Sequence, residues 1–432
     1  MQSYRRALAI KPAPDIHSNL IVALNFDPVA VAADHQAERL QWDEQYARVF
    51  AADVAFHENV PDPDRRLRIG YISGSVRRQT ATDALARAIL FCDTNNFETV
   101  FYAGAEPDDD ISARMRLSVD LWRDIEGRSD DDVEQLIRQD NVDILVDPLG
   151  HRGGQRLLVF ARKPAPIQVT GWGDPTGTGL ATMDYLLADP VLVPADQRHL
   201  LVERVYDLPN CLGYWTPGQM PDPSPLPVTE RGFVTFGSFN RIAKIQDPVV
   251  RSWAEILRAL PEAMLVIKSD QWSADSDRHA EIEQLFADEG VAEGRVEFRG
   301  STGRADHFAA YREIDIALDP FPYGGGMTTL DAVWMGVPVI TRPGRTIPSR
   351  LAAASLTALG LTDFVAESPR DYVDRAVAIA EDIGALAYLR LTLRGVLANS
   401  VVGDPVRYTR AVEAAYRAMW RQWCTSTARR FG

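Results

Sequence analysis

Cysteine is scarce: three residues in 432, Cys92, Cys211 and Cys424, stand far apart and form no CxxC pair. That excludes a disulfide framework, argues against a zinc site and fits a reducing compartment. Basic residues are also in deficit. The 46 Lys and Arg against 60 Asp and Glu leave a net charge of −14. Such a chain lacks the basic footprint that nucleic-acid binding needs, although it can still hold a small basic pocket for a phosphate. No run reaches the ~18 apolar residues of a membrane-spanning helix. The opening MQSYRRALAIKPAPD has no apolar core of the secretory-signal kind. The expectation is a cytoplasmic protein with neither a nucleic-acid nor a membrane partner.

What is present is an ordinary globular composition, 46% hydrophobic and 25% charged, at a length that suggests two or three domains. Residues 1–56 read as helical. QSYRRALAI forms a short amphipathic helix, KPAPD breaks it, and Asp15 is the expected N-cap of a second helix to Leu24. The spacing is like a junction between tetratricopeptide repeats, so the chain is expected to begin inside or at the end of such an array. These helices are also the candidate contact for a homo-oligomer.

From 67 to 214, apolar strands such as Leu67–Ser73, Val142–Asp147 and Tyr185–Ala188 alternate with helices such as Asp130–Gln139. That alternation predicts a parallel doubly wound sheet. A proline-rich stretch, 215–231, reads as the interdomain linker. The pattern restarts over 232–368, with strands near Phe233–Phe236, Met264–Lys268, Val296–Phe298, Ile314–Leu318 and Val337–Thr341. Residues 369–432 read as helices packing back across the domains. Two such sheets predict a cleft between them, with ligands beyond the carboxyl ends of the strands.

Four segments carry candidate chemistry. In DPFPYGGGMTTLD (319–331), a strand ends, glycines including Gly325 and Gly326 follow, and Thr328 and Thr329 open a helix containing Asp331. Glycines admit close backbone approach, and the first helical turn offers unpaired N–H groups, so the segment reads as an anion site or as a plain capped connection. FGSFNRIAK (236–244) places Asn240, Arg241 and Lys244 just past a strand. Two cations there suit a diphosphate, or else a basic surface. In GRADHFAAY (303–311), Arg304 and His307 share a helical face, where they could meet a ribose, a phosphate or a base, or simply solvent. In the stretch from Asp147 to Gly179, His151 reads as a general base or as a structural histidine. The Gly/Thr loop with Thr176 and Thr178 reads as a sugar or acceptor rim.

Together these segments closely resemble the catalytic region of the O-linked N-acetylglucosamine transferase family, which includes the plant relative Spindly. The matching stretches are IGYISG, DILVDPLGH, RKPAPIQVTGWGDPTGTGLATMDYLLADP, FGSFNRIAKI with WAEILRALP, DIALDPFPYGGGMTTLDAVWMGVPVIT and SRLAAASLTALGL, in the family's order over about 67–365. The resemblance implies an α/β fold of GT-B type, with two Rossmann-like domains facing a cleft. It also implies an inverting, metal-independent transfer from a nucleotide sugar, UDP-GlcNAc first, to Ser or Thr of a protein acceptor, without a cofactor. Carried over by position, Lys244 falls at the lysine on the donor diphosphate. Arg304 and His307 fall at the lysine and histidine on ribose and base. Thr328 and Thr329 match the helix-opening threonines at the phosphates, and Asp331 matches an aspartate on the ribose. Arg241 stands where the animal enzyme has glutamine.

The departures lie after the first strand. The family's aspartate is Ser75, its active-site histidine is Gln79, and a second histidine four residues on is Asp83. Gln79 cannot accept a proton at neutral pH. The candidate catalytic set is therefore Lys244, His151 and Asp83, with Gln79 and Arg77 on the acceptor or sugar side. Two other readings fit the same residues. One is another donor, GDP-fucose or a CMP-linked nonulosonate, whose carboxylate the Arg77-Arg78 pair would suit. The other is a nucleotide-binding pseudoenzyme, motivated by Gln79.

Overall fold

The computed structural model describes residues 1–431 except 52–53, 55, 75–79, 106–108, 216–219 and 270–276. The chain forms two compact units. The first comprises Met1–Asn25, Ala30–Trp215 and Asp404–Gly432. The second comprises Phe26–Val29 and Thr216–Gly403. The division between them at Trp215 falls at the start of the proline-rich stretch. Helices Pro369–Glu381 and Ile383–Ala398 belong to the second unit, and the helix Pro405–Phe431 belongs to the first.

The first unit holds seven parallel strands: β1 (Leu67–Ser73), β2 (Phe97–Ala103), β3 (Leu121–Asp124), β4 (Ile144–Asp147), β5 (Ile167–Thr170), β6 (Tyr185–Ala188) and β7 (Arg204–Asp207). Their order is β3-β2-β1-β4-β5-β6-β7. The central strands β1, β4 and β5 are buried on both faces, which is why they read as unbroken apolar runs. The edge strands β3 (LWRD) and β7 (RVYD) are short and half-exposed. They carry charges suited to an edge, so no strand was expected there. At the N-terminus, the helices are Gln2–Ile10, Pro14–Leu24 and Ala32–Trp42, the last continuing to Ala51. Asp15 is not the N-cap. Ala13 occupies that position, Pro14 opens the helix with its φ already set, and Asp15 lies in the first turn.

The second unit holds β8 (Thr235–Ser238), β9 (Met264–Lys268), β10 (Val296–Arg299), β11 (Ile316–Leu318) and β12 (Val339–Ile340), all parallel, in the order β10-β9-β8-β11-β12. Both sheets start in the middle, build outward to one side, then jump back to the other. The reversal falls between β1 and β4 in one unit and between β8 and β11 in the other. At such a switch point the loops leaving two neighbouring strands diverge and open a crevice at their carboxyl ends.

The two units end the strand beyond the switch in the same way. Asp147 after β4 and Asp319 after β11 are each followed by proline and almost fully buried. Asp147 accepts from Thr170 Oγ1 (2.7 Å) and from the N–H groups of Leu149 (3.1 Å) and Gly150 (2.8 Å). Asp319 accepts from Thr341 Oγ1 (2.7 Å) and from the N–H of Gly325 (2.6 Å). Burial pushes both carboxyls up, each to about 6. In the second unit, the end of β11 is further tied to the core. Trp253 Nε1 donates to Tyr372 Oη (3.1 Å), and Tyr372 Oη donates to the carbonyl of Asp319 (3.0 Å). Trp253 is on the helix Asp247–Ala259, which buries Val249, Val250, Trp253, Ile256 and Leu257 as one apolar stripe. Each such buried side chain contributes roughly 1.5–3 kcal/mol, so the strand end is held by a well-anchored core.

Candidate functional site

The loop leaving β11 folds back on Asp319. That carboxylate takes the N–H of Gly325 and so turns the glycine run toward the strand end. The run must be glycine: a Cβ on Gly325 would lie 2.6–2.8 Å from Thr329 Oγ1, Thr328 Oγ1 and Asp319 Oδ1, and one on Gly324 would lie 2.9 Å from Asp319 Oδ2. The helix Met327–Trp334 then begins, with Gly326 at its N-cap and no side chain capping it. The Thr329 N–H turns back onto the Gly326 carbonyl (3.1 Å), which leaves the N–H groups of Met327 and Thr328 and the positive end of the dipole for an anion.

Lys244 closes the other side. It ends a short 3₁₀ turn, Ile242–Lys244, just past β8, and is 7% exposed. Its ammonium donates to the carbonyl of Gly324 (2.6 Å), lies 3.5 Å from Asn240 Oδ1, and sits 4.2 Å from the ring centre of Tyr323. Asn240 Oδ1 also accepts from Thr328 Oγ1 (3.2 Å). Lys244, Asn240, Gly325, Thr328 and Thr329 therefore converge where β8 and β11 diverge. A cavity of about 10 Å³ between these strands is lined by Ser238, Asn240, Asp319, Thr328 and Thr329. Thr329 Oγ1 and Ser238 Oγ are buried without a hydrogen-bond partner among the described residues. Buried hydroxyls rarely stay so, and an oxygen-rich guest would satisfy them.

Arg241, at the start of the 3₁₀ turn, is half-buried and makes no ion pair with a described residue. Asp331 is half-buried on the first turns of the helix Met327–Trp334. Arg304 is exposed at the start of the helix Arg304–Ala310, with its guanidinium 5.1 Å from the Phe308 ring. His307, on the same helix, is half-buried beside Tyr311 (5.6 Å between centroids) and Phe239 (6.0 Å). Its Nδ1 lies 3.3 Å from the ammonium of Lys268, the last residue of β9.

On the first unit the structure buries three of the residues singled out, His151, Thr176 and Thr178. His151 is 1% exposed. Its Nε2 faces the carbonyl of Thr178 (2.8 Å) and so carries the proton, while Nδ1 accepts from Ser18 Oγ (3.0 Å). Burial, with Arg39 nearby, pushes its pKa down to about 3. A sealed neutral ring with both nitrogens engaged is structural, not a general base. Thr176 and Thr178 are not a rim either, since both are fully buried. Thr176 Oγ1 bonds Asp174 (2.7 Å) and the guanidinium of Arg39, and Thr178 Oγ1 donates to Glu203 (2.7 Å). Gly177 and Gly179 at φ +80° and +77° let this loop press on the helix Ala32–Trp42. A Cβ on Gly179 would lie 2.6 Å from that of Arg39. Asp83 lies in the helix Thr80–Leu90, and Arg77 and Gln79 lie outside the described residues.

Sequence reasoning missed Asp319, Tyr323 and Lys268 as parts of the site. The repeated strand-end Asp-Pro at 147 and 319 was the available signal for the first. A lone lysine closing an apolar strand gave none for the third.

A sequence profile for glycosyl transferase family 41 matches residues 11–214 and 228–412. The rice protein described as a probable UDP-N-acetylglucosamine–peptide N-acetylglucosaminyltransferase SPINDLY is 36% identical over 436 residues, covering 99% of this chain. The chain spans 47% of that relative's length. Among solved structures, a mutant of the Thermobaculum terrenum O-GlcNAc transferase superposes with a TM-score of 0.93 at 36% identity. That match covers 99% of this chain and 81% of the other. Sucrose-phosphate synthase from Thermosynechococcus elongatus shares the fold alone, with a TM-score of 0.53 at 10% identity over 82% of this chain and 99% of that one. With its two doubly wound α/β units of GT-B type, the chain belongs to glycosyl transferase family 41, the family of the O-GlcNAc transferases and SPINDLY.

Proposed function

We propose that the chain is an inverting protein O-glycosyltransferase that takes a sugar from a nucleotide donor, UDP-GlcNAc first among the candidates, and passes it to a serine or threonine hydroxyl. The observation that carries this reading is the convergence of one buried ammonium, two helix-opening threonines and a glycine turn at the switch point between β8 and β11. That set suits a diphosphate. The ammonium supplies charge, and the threonines and the first-turn N–H groups supply donors fixed in place before the anion arrives.

In the reaction, the acceptor oxygen bonds to the anomeric carbon as the bond from that carbon to the diphosphate oxygen breaks. Negative charge grows on the departing diphosphate. Lys244, the N–H of Thr328 and the Thr329 hydroxyl meet it, with Arg241 at the edge of the turn. Donors already oriented toward a developing anion need no reorganisation at the moment of reaction, which is where their effect on rate comes from. The proton released by the acceptor goes to the leaving phosphate. His151 takes no part. The nucleoside end of the donor is assigned to Arg304, His307 and Asp331, with Asp331 as an acceptor for ribose hydroxyls. A partly exposed tail of the donor there fits the half-open setting of His307.

The test is a thermal-unfolding screen with UDP, GDP and CMP, followed by transfer from the sugar nucleotide that matches the winner. A bound nucleotide at a hundred times its Kd stabilises by about 2.7 kcal/mol. A clear upward shift with UDP, and radiolabel moved from UDP-GlcNAc to protein, is the expected result. A shift with GDP or CMP alone would move the donor to fucose or a nonulosonate. Nucleotide binding without either transfer or donor hydrolysis would make the chain a binding protein.

A further inference from the structure

Four residues from the turn after the helix Pro14–Leu24, Phe26–Val29, fold with the second unit, although the chain on both sides of them belongs to the first. Phe26 is the aromatic member of that tetrapeptide, and it is half-buried. Its ring meets the ring of Tyr323, with centroids 5.2 Å apart and planes tilted by 53°. Tyr323 is 4% exposed, and its ring lies 4.2 Å from the ammonium of Lys244. The same ammonium donates to Gly324, the residue after that tyrosine.

The Tyr323 ring thus sets both the surface on which the ammonium rests and, through its chain neighbour, the carbonyl the ammonium bonds. A cation over an aromatic ring is held by the ring's quadrupole, which acts only while the ring keeps its orientation. The turn 320–323 carries two prolines and leads into three glycines, so the ring's orientation depends on what packs against it. Phe26 supplies that packing from a remote part of the sequence. Tilted aromatic pairs at this separation are attractive beyond the area they bury.

We propose that Phe26 is a positioning residue for Lys244, acting through the Tyr323 ring. The functional consequence rests on the reading of Lys244 as the diphosphate lysine, but the geometry can be tested without it. The chain has four lysines, Lys11, Lys163, Lys244 and Lys268, so lysine-selective ¹³C labelling gives a spectrum that can be assigned by single substitutions. The Lys244 side-chain signals should be displaced by the ring current of Tyr323 in the natural chain and in Phe26→Tyr. They should move toward the ordinary lysine position in Phe26→Ala. An unchanged Lys244 signal in folded Phe26→Ala overturns the proposal. In the transfer assay, Phe26→Ala should lower kcat about tenfold with KM within threefold, and Phe26→Tyr should restore it. In a Lys244→Ala background the Phe26→Ala change should add nothing. An equal loss in both backgrounds shows that Phe26 acts elsewhere and overturns the proposal. Should Lys244→Ala itself transfer at the natural rate, the functional reading falls, and the spectrum still decides whether Phe26 positions the lysine.

Discussion

Replacing Gly325 by alanine asks whether the glycine turn and the two threonines form one device. The added methyl would lie 2.6 Å from Thr329 Oγ1, 2.7 Å from Thr328 Oγ1 and 2.8 Å from Asp319 Oδ1, all inside the 3.0 Å that real methyls respect. Asp319 has little room to retreat, because Thr341 holds its second oxygen at 2.7 Å. The threonine side chains must therefore turn away. Overpacking of this kind costs about 1–3 kcal/mol of stability, or a fall of a few to about ten degrees in the unfolding midpoint of a unit of this size. The greater effect should be on binding. A hydrogen bond to a charged partner is worth about 1.5–3 kcal/mol, so misplacing one or both hydroxyls should weaken UDP by about 2–4 kcal/mol, roughly thirty- to a thousandfold in Kd. Calorimetric titration of UDP into the folded variant measures this. Gly395→Ala is the control. It is exposed on the helix Ile383–Ala398, a Cβ there would meet nothing within 4 Å, and the change should leave UDP affinity alone while adding about 0.5–1 kcal/mol of stability. A folded Gly325→Ala protein that binds UDP as the natural chain does would refute the assignment of this turn to the phosphates.

Burial holds the Asp319 carboxyl at about 6, above its ordinary value of 3.8. The folded state therefore keeps a proton that the unfolded state has lost between those pH values. The stability this group contributes is full below about pH 4 and lost as the pH rises through 6. Asp319→Asn should accordingly gain in unfolding midpoint relative to the natural chain from pH 4 to pH 8, and a difference independent of pH would contradict the shift. Turnover should be unchanged in EDTA, because Lys244 and the helix N-terminus meet the leaving charge. Activity that vanishes in EDTA and returns with magnesium or manganese would refute that. Gln79→His should raise turnover less than about tenfold, since general-base effects of ~10²–10⁴ would already come from another group. A hundredfold gain with UDP-GlcNAc would show that the natural residue set is incomplete.

The parts of this molecule that were legible in the sequence are those whose local pattern matches their environment. Buried strands such as Leu67–Ser73 and Met264–Lys268 appear as apolar runs, and Asp130–Gln139 carries Ser129 as its cap and acids in its first turn. The glycine-threonine turn was legible because its physics is local: close backbone approach and a helix start. What failed was whatever depends on distant packing. Thr176 and Thr178 have the composition of an exposed loop, yet Arg39 and Glu203, far away in sequence, draw them into a buried network. His151 could be read as a base only until Ser18 and Thr178 were seen on its two nitrogens. The C-terminal helices look alike in sequence, and nothing local marks Asp404 as the point where the chain returns to the first unit. Phe26 belongs to a turn that no periodicity connects with Tyr323.

The most direct test of the account is the transfer rate from saturating UDP-GlcNAc for the natural chain and for Lys244→Ala. The substitution removes the one buried ammonium that touches the glycine turn, the Asn240 amide and the Tyr323 ring together. A folded protein with a rate lower by about 10²–10³ is expected, the range for losing one fixed stabiliser of developing charge. A rate within threefold of the natural chain would contradict it, and the switch point between β8 and β11 would no longer be the place where the reaction occurs.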